Sequence, residues 1–444
     1  MFQGQIASNG RRDDRQNDGA GETRVDALQQ KVLKKIAWRL VPLLTLAYIV
    51  NYLDRSNISF AALTMNKDLG LTATEFGFGA GILFLSYTVF EIPSNLALYH
   101  FGARRWIARI MITWGLVSAA TAFIIGPYSF YAIRFALGLA EAGFFPGVTF
   151  YLAAWFPTQY RTRMLAWFLL AIPVSSVIGA PISALLMQMD GLWGLQGWKW
   201  LFIIEGLPAV LLGFVVLWLL ADRPETASWL SPQERDALNA MLAEERRERP
   251  KASFSSALLD IRVIILALVQ FGFTLGSYGV LIFLPQIIKN SGVSNQTASY
   301  LAAVPYVFAS IAMIWWAWHV DRTGKKTGNL ITACALATLG LAASVLSTQL
   351  AIALSALTVA LVGITSARAI FWPIPTRFLT AIGAATGLAF INSIGTAGGF
   401  AGPYLMGWLK DFTGSFTYGL LAMAGILLVT TLLAWSLKLV IKVE

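Results

Sequence analysis

An aspartate and an arginine stand side by side in a strongly apolar stretch near the start of the chain, as Asp54 and Arg55. A charge at bilayer depth costs roughly 3 kcal/mol, so such a residue normally faces a bundle interior or a water-filled cavity used by an ion or substrate. On a helix, Tyr48 and Asn51 would share one face with Arg55, while Asp54 would lie one position to the side. We therefore predict that Arg55 binds an anion and that Asp54 is either its charge partner or a proton carrier.

A second charged pair, Arg134 and Glu141, lies two helical turns apart in a later apolar stretch. An arginine stays charged and binds a carboxylate through paired hydrogen bonds, while an acid in a low-dielectric site can carry a proton. The alternative is a purely structural ion-pair cluster, but four charges in one half exceed what joining helices requires. The cluster thus predicts a proton-coupled anion site, with Glu141 as the proton carrier and Asp54 as the second acid.

The second half of the chain offers one intramembrane cation, Arg368, and polar or aromatic residues at Tyr278, Trp372 and Asn392. For the last three, ligand contact and structural packing are equally open. If Arg368 faces a cavity, the substrate carries a second acidic group; if it lies near the membrane boundary, its side chain extends to the lipid surface instead. These four residues join Tyr48, Asn51, Arg55 and Arg134 as predicted substrate-binding residues.

Glu91 and Glu205 are two further acids in apolar stretches. Both lie close to the ends or kinks of the stretches that contain them. We predict a structural role for each, such as holding arginines at helix ends, in preference to transport chemistry.

The composition indicates a membrane protein, because 57% of the 444 residues are hydrophobic, 13% are charged and the mean hydropathy is +0.65. Each apolar segment should be a helix, since backbone polar groups in hydrocarbon must be satisfied within their own segment and no strong period-2 alternation suggests a barrel. Prolines inside them, at 93, 173, 181, 373 and 403, should kink the helices without ending them. Twelve segments are predicted, at about 38–62, 76–99, 105–125, 129–151, 163–188, 200–221, 262–288, 297–319, 329–348, 350–376, 383–408 and 416–439.

The distribution of basic residues predicts the orientation. With both termini in the cytoplasm, 26 of the 33 lysines and arginines lie on that side and only four on the other. This is the pattern in which positive charge stays inside, so the net charge of +10 requires no nucleic-acid partner.

One long hydrophilic insert divides the chain into two halves of six spans. The predicted units are a tail at 1–37, a bundle at 38–221, a cytoplasmic linker at 222–261 and a second bundle at 262–444. The halves resemble each other: Phe145-Pro146 recurs as Trp372-Pro373, and Arg104-Arg105 as Lys325-Lys326. Duplicated bundles typically bind their substrate at the midplane between the halves, so we predict an all-α membrane protein of two pseudo-symmetric six-helix bundles.

Several functions are excluded by what the chain lacks. The single cysteine, Cys334, and two histidines allow neither an internal disulfide nor a cysteine or histidine metal site. There is no phosphate-binding loop, dinucleotide motif or nucleophile elbow. We predict no cofactor, no metal, no catalytic residue and no enzymatic activity.

Short motifs recur along nearly the whole chain, from residue 38 to about 410. One is the loop motif Asp321-Arg-Thr-Gly-Lys-Lys326, with a degenerate partner ending at Gly102-Ala-Arg-Arg105. The others are Asn51–Asn57, Glu91–Asn95, Arg134–Pro146, Trp155–Pro157, Trp200–Pro208, Asp222–Leu230 and Gly398–Tyr404. With these motifs the chain resembles the major facilitator superfamily and, within it, the tartrate-type branch of the anion:cation symporter family.

The resemblance implies two bundles rocking around a central site and proton-driven symport of organic anions. It implies that Arg55 and Arg134 bind substrate and that Asp54 and Glu141 carry protons. The two loop motifs imply a gating latch at the cytoplasmic ends of the bundles. Its predicted residues are Arg104, Arg105, Asp321, Arg322 and Lys325. The chain departs from the family at Arg368, where related sequences more usually carry small or uncharged residues, and in the first loop motif, which lacks its usual acid.

The predicted function is import of a small hydroxylated or dicarboxylic organic acid with protons, by a monomer in the bilayer of a bacterial inner membrane. An exchanger or exporter of organic anions would use the same site. A membrane receptor that binds an anion without moving it is the alternative from another class, and the duplicated bundles with no signalling domain argue against it.

Overall fold

The computed structural model describes residues 10–247, 260–375 and 381–440. Nearly all of this part of the chain is helical, apart from short turns and loops. The helices are α1 (Gly10–Asp68), α2 (Ala73–Phe101), α3 (Ala103–Ala120), α4 (Pro127–Glu141), α5 (Phe144–Trp155), α6 (Thr158–Leu169), α7 (Ala171–Met187), α8 (Gly197–Leu219), α9 (Pro232–Arg247), α10 (Ile261–Lys289), α11 (Asn295–Thr323), α12 (Lys326–Ser344), α13 (Leu350–Phe371), α14 (Ala381–Thr413) and α15 (Phe416–Val440).

The predicted all-helical membrane fold is confirmed. Eleven helical stretches in the described residues are long and apolar enough to cross a membrane. Two of these spans are built from two helices each, α4 with α5 and α6 with α7. The remaining predicted span corresponds to α14, which is 33 residues long and packs against α2 and α10.

Most of the predicted prolines do lie inside helices. Pro93 is inside α2, Pro181 inside α7 and Pro403 inside α14, and Pro173 lies in the first turn of α7, just after α6 ends. Pro373 is the exception, because α13 ends at Phe371 rather than at the predicted residue 376. The tenth span therefore stops just before its proline, as expected where a proline cannot continue the backbone hydrogen bonds.

Each half packs around its own set of helix pairs. In the first half α3 packs on α8, α2 on α4, and α1 on α7 and α8. In the second half α12 packs on α13 and α15, and α10 on α15. The halves meet through α2 with α14, α7 with α11 and α1 with α10. Of the helices that carry the charged candidate residues and Tyr278, α1 and α10 therefore take part in the interface between the halves, while α4 packs on α2 and α13 on α10.

The linker helix α9 docks against the first bundle. Lys35 of α1 forms an ion pair with Glu234 of α9, with 2.7 Å between Nζ and Oε2. The rest of the predicted linker, residues 248–259, lies outside the described residues.

Hydrogen bonds join the two halves at the end of the molecule where α1 ends. Asp411 of α14 accepts the Ala73 N–H at 3.1 Å and both the N–H and the hydroxyl of Thr74, at 2.6 and 2.5 Å. Lys289 of α10 donates to the Leu63 carbonyl at 3.2 Å. These contacts close the end of the molecule that the distribution of basic residues predicts to be periplasmic.

Replacing Asp411 with asparagine is expected to loosen this closed end, because a charged acceptor at the start of α2 is lost. Partial burial alone would raise the pKa of Asp411, but hydrogen bonds from Thr74 and Ala73 outweigh it and lower the pKa. The stabilisation that ionised Asp411 gives to the closed end is therefore fully present above its ordinary pKa of 3.8. It is lost only as the pH falls through the lower pKa that Asp411 has in the folded protein. The loosening should be the same from about pH 5 to pH 8.

The measurement is labelling of Phe400→Cys by a membrane-impermeant maleimide, since Phe400 packs against Phe78 between α14 and α2. The native Cys334 is buried and should give little background. We expect faster labelling with Asp411→Asn and no change with the control Glu225→Gln, which removes an exposed acid far from the interface. Unchanged labelling with Asp411→Asn would contradict the prediction. Because maleimide reacts with the thiolate, every labelling rate rises with pH, so the rate with Asp411→Asn is divided by the rate of the Phe400→Cys parent at the same pH, and a ratio that varies across this range would also contradict it.

Candidate functional site

The fourth span is broken next to Glu141, where the sequence predicts a continuous helix over 129–151. The helix α4 ends at Glu141, Gly143 has a φ of 85° and α5 begins at Phe144. Ser94 of α2 donates its hydroxyl to the Ala142 carbonyl at 2.5 Å, which satisfies a carbonyl at the break. A side chain at position 143 would collide with Ser94 and would disfavour the left-handed backbone. The break places Glu141 at a helix end inside the membrane, as in transporters with discontinuous helices.

Arg55 and Glu141 form an ion pair within the first bundle. Arg55 Nε lies 2.8 Å from Glu141 Oε2, and the side chains are 12% and 0% exposed. The second carboxylate oxygen, Oε1, is buried without a hydrogen-bond partner in the part of the chain that the structure describes. The Arg55 guanidinium also lies 5.0 Å from the ring centre of Tyr87. Arg55 is thus the partly exposed member of the pair, where an incoming anion could compete with Glu141.

Asp54 faces away from Arg55 and towards α3. It accepts hydrogen bonds from Trp114 Nε1 and Ser118 Oγ, both at 2.8 Å, and from Asn57 Nδ2 at 3.4 Å. The alternative in which Asp54 is the charge partner of Arg55 is therefore wrong, since that partner is the glutamate at the end of α4. The role of Asp54 as a proton carrier stays a prediction.

Arg134 completes a cluster of four charges. Its side chain is 1% exposed, and its Nε and Nη1 atoms are buried without a hydrogen-bond partner among the described residues. Its charge interacts favourably with Glu141 and Asp54 and unfavourably with Arg55. Two cations and two acids therefore lie close together, with one guanidinium that has unused hydrogen-bond donors.

Tyr48 and Asn51 lie on the same side of α1 as Arg55, in different surroundings. The Tyr48 ring stacks on Phe168 of α6, with 4.4 Å between ring centres, and is 5% exposed. The Asn51 side chain is 1% exposed, and neither polar atom of its amide has a hydrogen-bond partner in residues 10–247, 260–375 and 381–440. A buried amide without partners is a good candidate to bind a polar ligand or water.

In the second half, Tyr278 interacts with both Arg55 and Arg368. Its ring packs on Phe84 of α2, with 4.3 Å between ring centres, so it lies at the interface between the halves. The Arg368 guanidinium lies 5.9 Å from the Tyr278 ring centre, and its Nη2 donates to Ser277 Oγ at 3.2 Å. Tyr278 also interacts with Arg55. Arg368 therefore points towards the interface with the first half, and the alternative in which it extends to the membrane boundary is wrong.

Asn392 joins the halves through Glu91. Its Nδ2 lies 3.4 Å from Glu91 Oε1, and the other carboxylate oxygen is buried without a partner in the described residues. The structural role of Glu91 stays a prediction: its hydrogen bond goes to an asparagine of the other half, and its charge also interacts favourably with Arg55. Trp372 is partly buried just after α13 ends and packs edge-on against Phe371, with 5.5 Å between ring centres.

Glu205 also differs from its expected place. It is buried in α8, where it accepts a hydrogen bond from Ser183 Oγ at 2.9 Å. It also interacts with Asn57 and Asp54. These neighbours are two polar side chains and a second acid rather than an arginine, and the structural role of Glu205 stays a prediction.

The predicted gating residues lie at the opposite end of the bundles. Arg104 donates its N–H to Asp222 at 2.9 Å and its Nε to the Leu217 carbonyl at 2.5 Å. Asp222 thus supplies the acid that the first loop motif lacks, from the start of the linker. Arg322 lies over the Trp318 ring at 3.9 Å and Lys325 immediately precedes α12. Arg105 is exposed in α3, and the side chain of Asp321 lies outside the described residues.

The duplication carries a signal that the sequence interpretation missed. Glu141 and Arg368 are 227 residues apart, which is also the spacing of Pro146 and Pro373. The acid and the cation therefore occupy equivalent positions of the two halves, Glu141 at the end of α4 and Arg368 in the last turn of α13. Adding the repeat spacing of 227 residues to Glu141 gives Arg368. The sequence could therefore have predicted that Arg368 lies across the interface from the charge cluster.

Comparison with known families identifies the class of protein. The model of the Major Facilitator Superfamily matches residues 44–403, which is most of the chain. The chain belongs to this superfamily. It is a multi-pass membrane transporter of a small metabolite rather than an enzyme.

Individual relatives are more informative than the superfamily. A protein of Agrobacterium vitis named "Putative tartrate transporter" is 52% identical over 408 residues, which are 91% of each chain. The inner membrane transport protein RhmT of Escherichia coli is 36% identical over 418 residues, which are 93% of this chain and 96% of its own.

Solved structures share the fold at low sequence identity. A bacterial homologue of the human lysosomal transporter Spinster, in an inward-facing conformation, superposes with a TM-score of 0.72 at 15% identity, over 89% of this chain and 95% of its own. The xylose transporter XylE of Escherichia coli superposes with a TM-score of 0.72 at 14% identity, over 90% of this chain and 97% of its own. Both describe the arrangement of helices and nothing finer.

Proposed function

We propose that this protein is a proton-coupled symporter that imports a small organic anion, a tartrate-like hydroxy dicarboxylate or a sugar acid. The observation that carries the proposal is the ion pair between Arg55 and Glu141, whose acid is buried and whose cation is partly exposed. The name of the relatives in Agrobacterium vitis supports the choice of a hydroxylated dicarboxylate.

Protonation of Glu141 would free Arg55 for the substrate. With Asp54 and Glu141 ionised and two arginines charged, the cluster is neutral. Adding a proton to Glu141 leaves one positive charge and removes the anion that occupies Arg55. A substrate carboxylate then restores neutrality by binding the guanidinium, so anion and proton enter the site together.

The second half would hold the other end of the substrate. Arg368 lies at the interface beside Tyr278 and can bind a second carboxylate, in the way that Arg55 binds the first. The amides of Asn51 and Asn392 offer donors and acceptors to hydroxyl groups between the two carboxylates. The partners of the substrate thus come from both bundles, so its binding would draw the halves together.

The transport cycle would then consist of rocking of the bundles around this site. The contacts of Asp411 and Lys289 hold one end closed, and these must break when that end opens. We place the protein in a bacterial inner membrane as a monomer, with both termini in the cytoplasm and bundles at 38–221 and 262–444. The arginines and lysine of the two loop motifs would latch the cytoplasmic end when the opposite end is open.

The test is uptake of labelled tartrate into vesicles that contain the purified protein. We expect accumulation when the outside is more acidic than the inside, alkalinisation of the outside medium during uptake, and no accumulation after a proton ionophore collapses the gradient. An uncharged sugar of similar size serves as the control substrate. Uptake that requires a second organic anion inside the vesicle and ignores the pH gradient would show an exchanger instead.

A further inference from the structure

Glu205 is a third buried acid in the first bundle, besides the proposed proton carriers Asp54 and Glu141. Glu205 of α8 is 5% exposed, and its Oε1 accepts a hydrogen bond from Ser183 Oγ of α7 at 2.9 Å. Its Oε2 is buried without a hydrogen-bond partner within the described portion of the chain. The proposed substrate site does not use this acid, so its burial has to be explained in another way.

Asn57 connects this acid to Asp54. Its side chain is 0% exposed and lies one helical turn after Asp54 on α1. The Asn57 Nδ2 atom is 3.4 Å from Asp54 Oδ1, and the same side chain interacts with Glu205. Its Oδ1 atom is buried and has no hydrogen-bond partner among the residues described. An amide therefore lies between two carboxyl groups inside the first bundle.

The unpartnered atoms in this group are acceptors, and a proton would satisfy them. A protonated Glu205 gains an O–H that can donate to Asn57 Oδ1, whereas an ionised Glu205 adds a negative charge beside Asp54. The helices packed against α8 present Ser183 from α7 and Asp54 from α1, and α3 presents Ser118 to Asp54. Among the cations of the cluster, Arg134 interacts with both Glu141 and Asp54.

Glu205 lies on the side of Asp54 that faces the closed end of the molecule. Asn57 is closer than Asp54 to the end of α1, and α8 begins at the same end with Gly197. Trp198 Nε1 donates to Asp68 Oδ2 at 2.9 Å, which shows that the end of α1 and the start of α8 are level. The acid thus lies between the proposed proton carriers and the end predicted to be periplasmic.

We propose that Glu205 is a proton relay that passes protons from the predicted periplasmic end of the first bundle to Asp54. This inference rests on the proposed symport. In the step, Glu205 Oε2 gives its proton to a carboxylate oxygen of Asp54, directly after a side-chain rotation or through a water held by Asn57. Glu205 becomes a carboxylate, Asp54 becomes a carboxylic acid, and Glu205 is then protonated again from outside.

The test compares Glu205→Gln with Glu205→Asp in reconstituted vesicles. Glutamine keeps the length of the side chain and an acceptor for Ser183 but cannot carry a proton; aspartate can carry one but is a methylene shorter. We expect proton uptake driven by substrate to fall about tenfold or more with Gln and to be partly retained with Asp. Counterflow exchange, which needs no net proton transfer, should fall by a smaller factor than proton uptake with Gln.

If Glu205 had only a structural role, proton uptake would be retained better with Gln than with Asp, because glutamine replaces the hydrogen bonds of Glu205 better than aspartate does. Glu205→Gln equal to or better than Glu205→Asp in proton uptake would therefore overturn the relay. Asn57→Ala is the second variant, since it removes the linking amide and leaves both acids; it should slow proton uptake more than counterflow, and equal slowing of both would also count against the relay.

Two controls separate this inference from the proposed function. If the unaltered protein takes up substrate without protons, the symport proposal fails and the relay fails with it. If the unaltered protein couples to protons and Glu205→Gln does so equally well, the relay alone fails. Uptake driven by a sodium gradient at equal pH, and lost with Glu205→Gln, would show that the group around Asn57 binds a metal cation instead of passing a proton.

Discussion

Glu141→Gln is expected to abolish proton-driven accumulation of the substrate while leaving counterflow exchange measurable. The glutamine side chain has the shape of a protonated glutamate, so Arg55 loses its anionic partner permanently and stays free for the substrate. The site can then bind an anion at any pH but cannot release a proton to drive accumulation. We expect uptake against a gradient to fall about a hundredfold or more, the range in which a positioned proton carrier acts.

The measurement is accumulation of labelled substrate under an inward pH gradient, followed by exchange between equal concentrations on both sides. A matched control is Glu225→Gln, which removes an acid from an exposed turn outside the spans. Uphill uptake that persists with Glu141→Gln would remove this residue from the proton pathway. Loss of exchange together with uptake would indicate that the variant no longer binds substrate or no longer moves.

Arg368→Gln is expected to reduce transport of a dicarboxylate far more than transport of a monocarboxylate of similar size. Truncating one partner of a buried charge pair typically costs about 2 kcal/mol or more, which is about a thirtyfold loss of affinity. A monocarboxylate would need only Arg55, so its transport should change little. The position beside Tyr278 at the interface is the reason to expect this difference.

The experiment measures the concentration dependence of uptake for both substrates in the same vesicles. Lys67→Gln is the matched control, because it removes an exposed cation at the end of α1. Equal losses for the two substrates would contradict a role for Arg368 in binding the second carboxylate. A loss confined to the monocarboxylate would indicate that Arg55 and Arg368 bind different substrates, or that they bind substrate in different conformations of the transporter.

Sequence reasoning was most successful where one segment determines the outcome alone. A run of about 20 apolar residues must be helical in a bilayer whatever surrounds it, so the spans could be predicted one at a time. The break in the fourth span was missed because its cause lies in two places. Gly143 takes the left-handed backbone, but Ser94 from another helix satisfies the Ala142 carbonyl, and no local pattern shows that contact.

The sequence indicated which charged residues matter, but it did not predict which side chains they contact. Asp54 and Arg55 are adjacent in sequence, which suggested a pair, yet neighbouring residues on a helix point about 100° apart. The structure accordingly directs Asp54 to α3 and Arg55 to α4. Glu205 was assigned a structural role because it lies near a helix end, and only its contacts with Ser183 and Asn57 connected it to the charge cluster.

The amino-acid sequence by itself determined that this chain crosses the membrane many times, and it predicted that the chain is duplicated and that a few charges lie at membrane depth. Each of these follows from the transfer cost of single side chains and from spacing along the chain. The tertiary structure alone decided which acid binds Arg55, that Arg368 faces the other half, and that an asparagine lies between two buried acids. Such choices depend on distances between helices, and those are set by packing of the whole bundle.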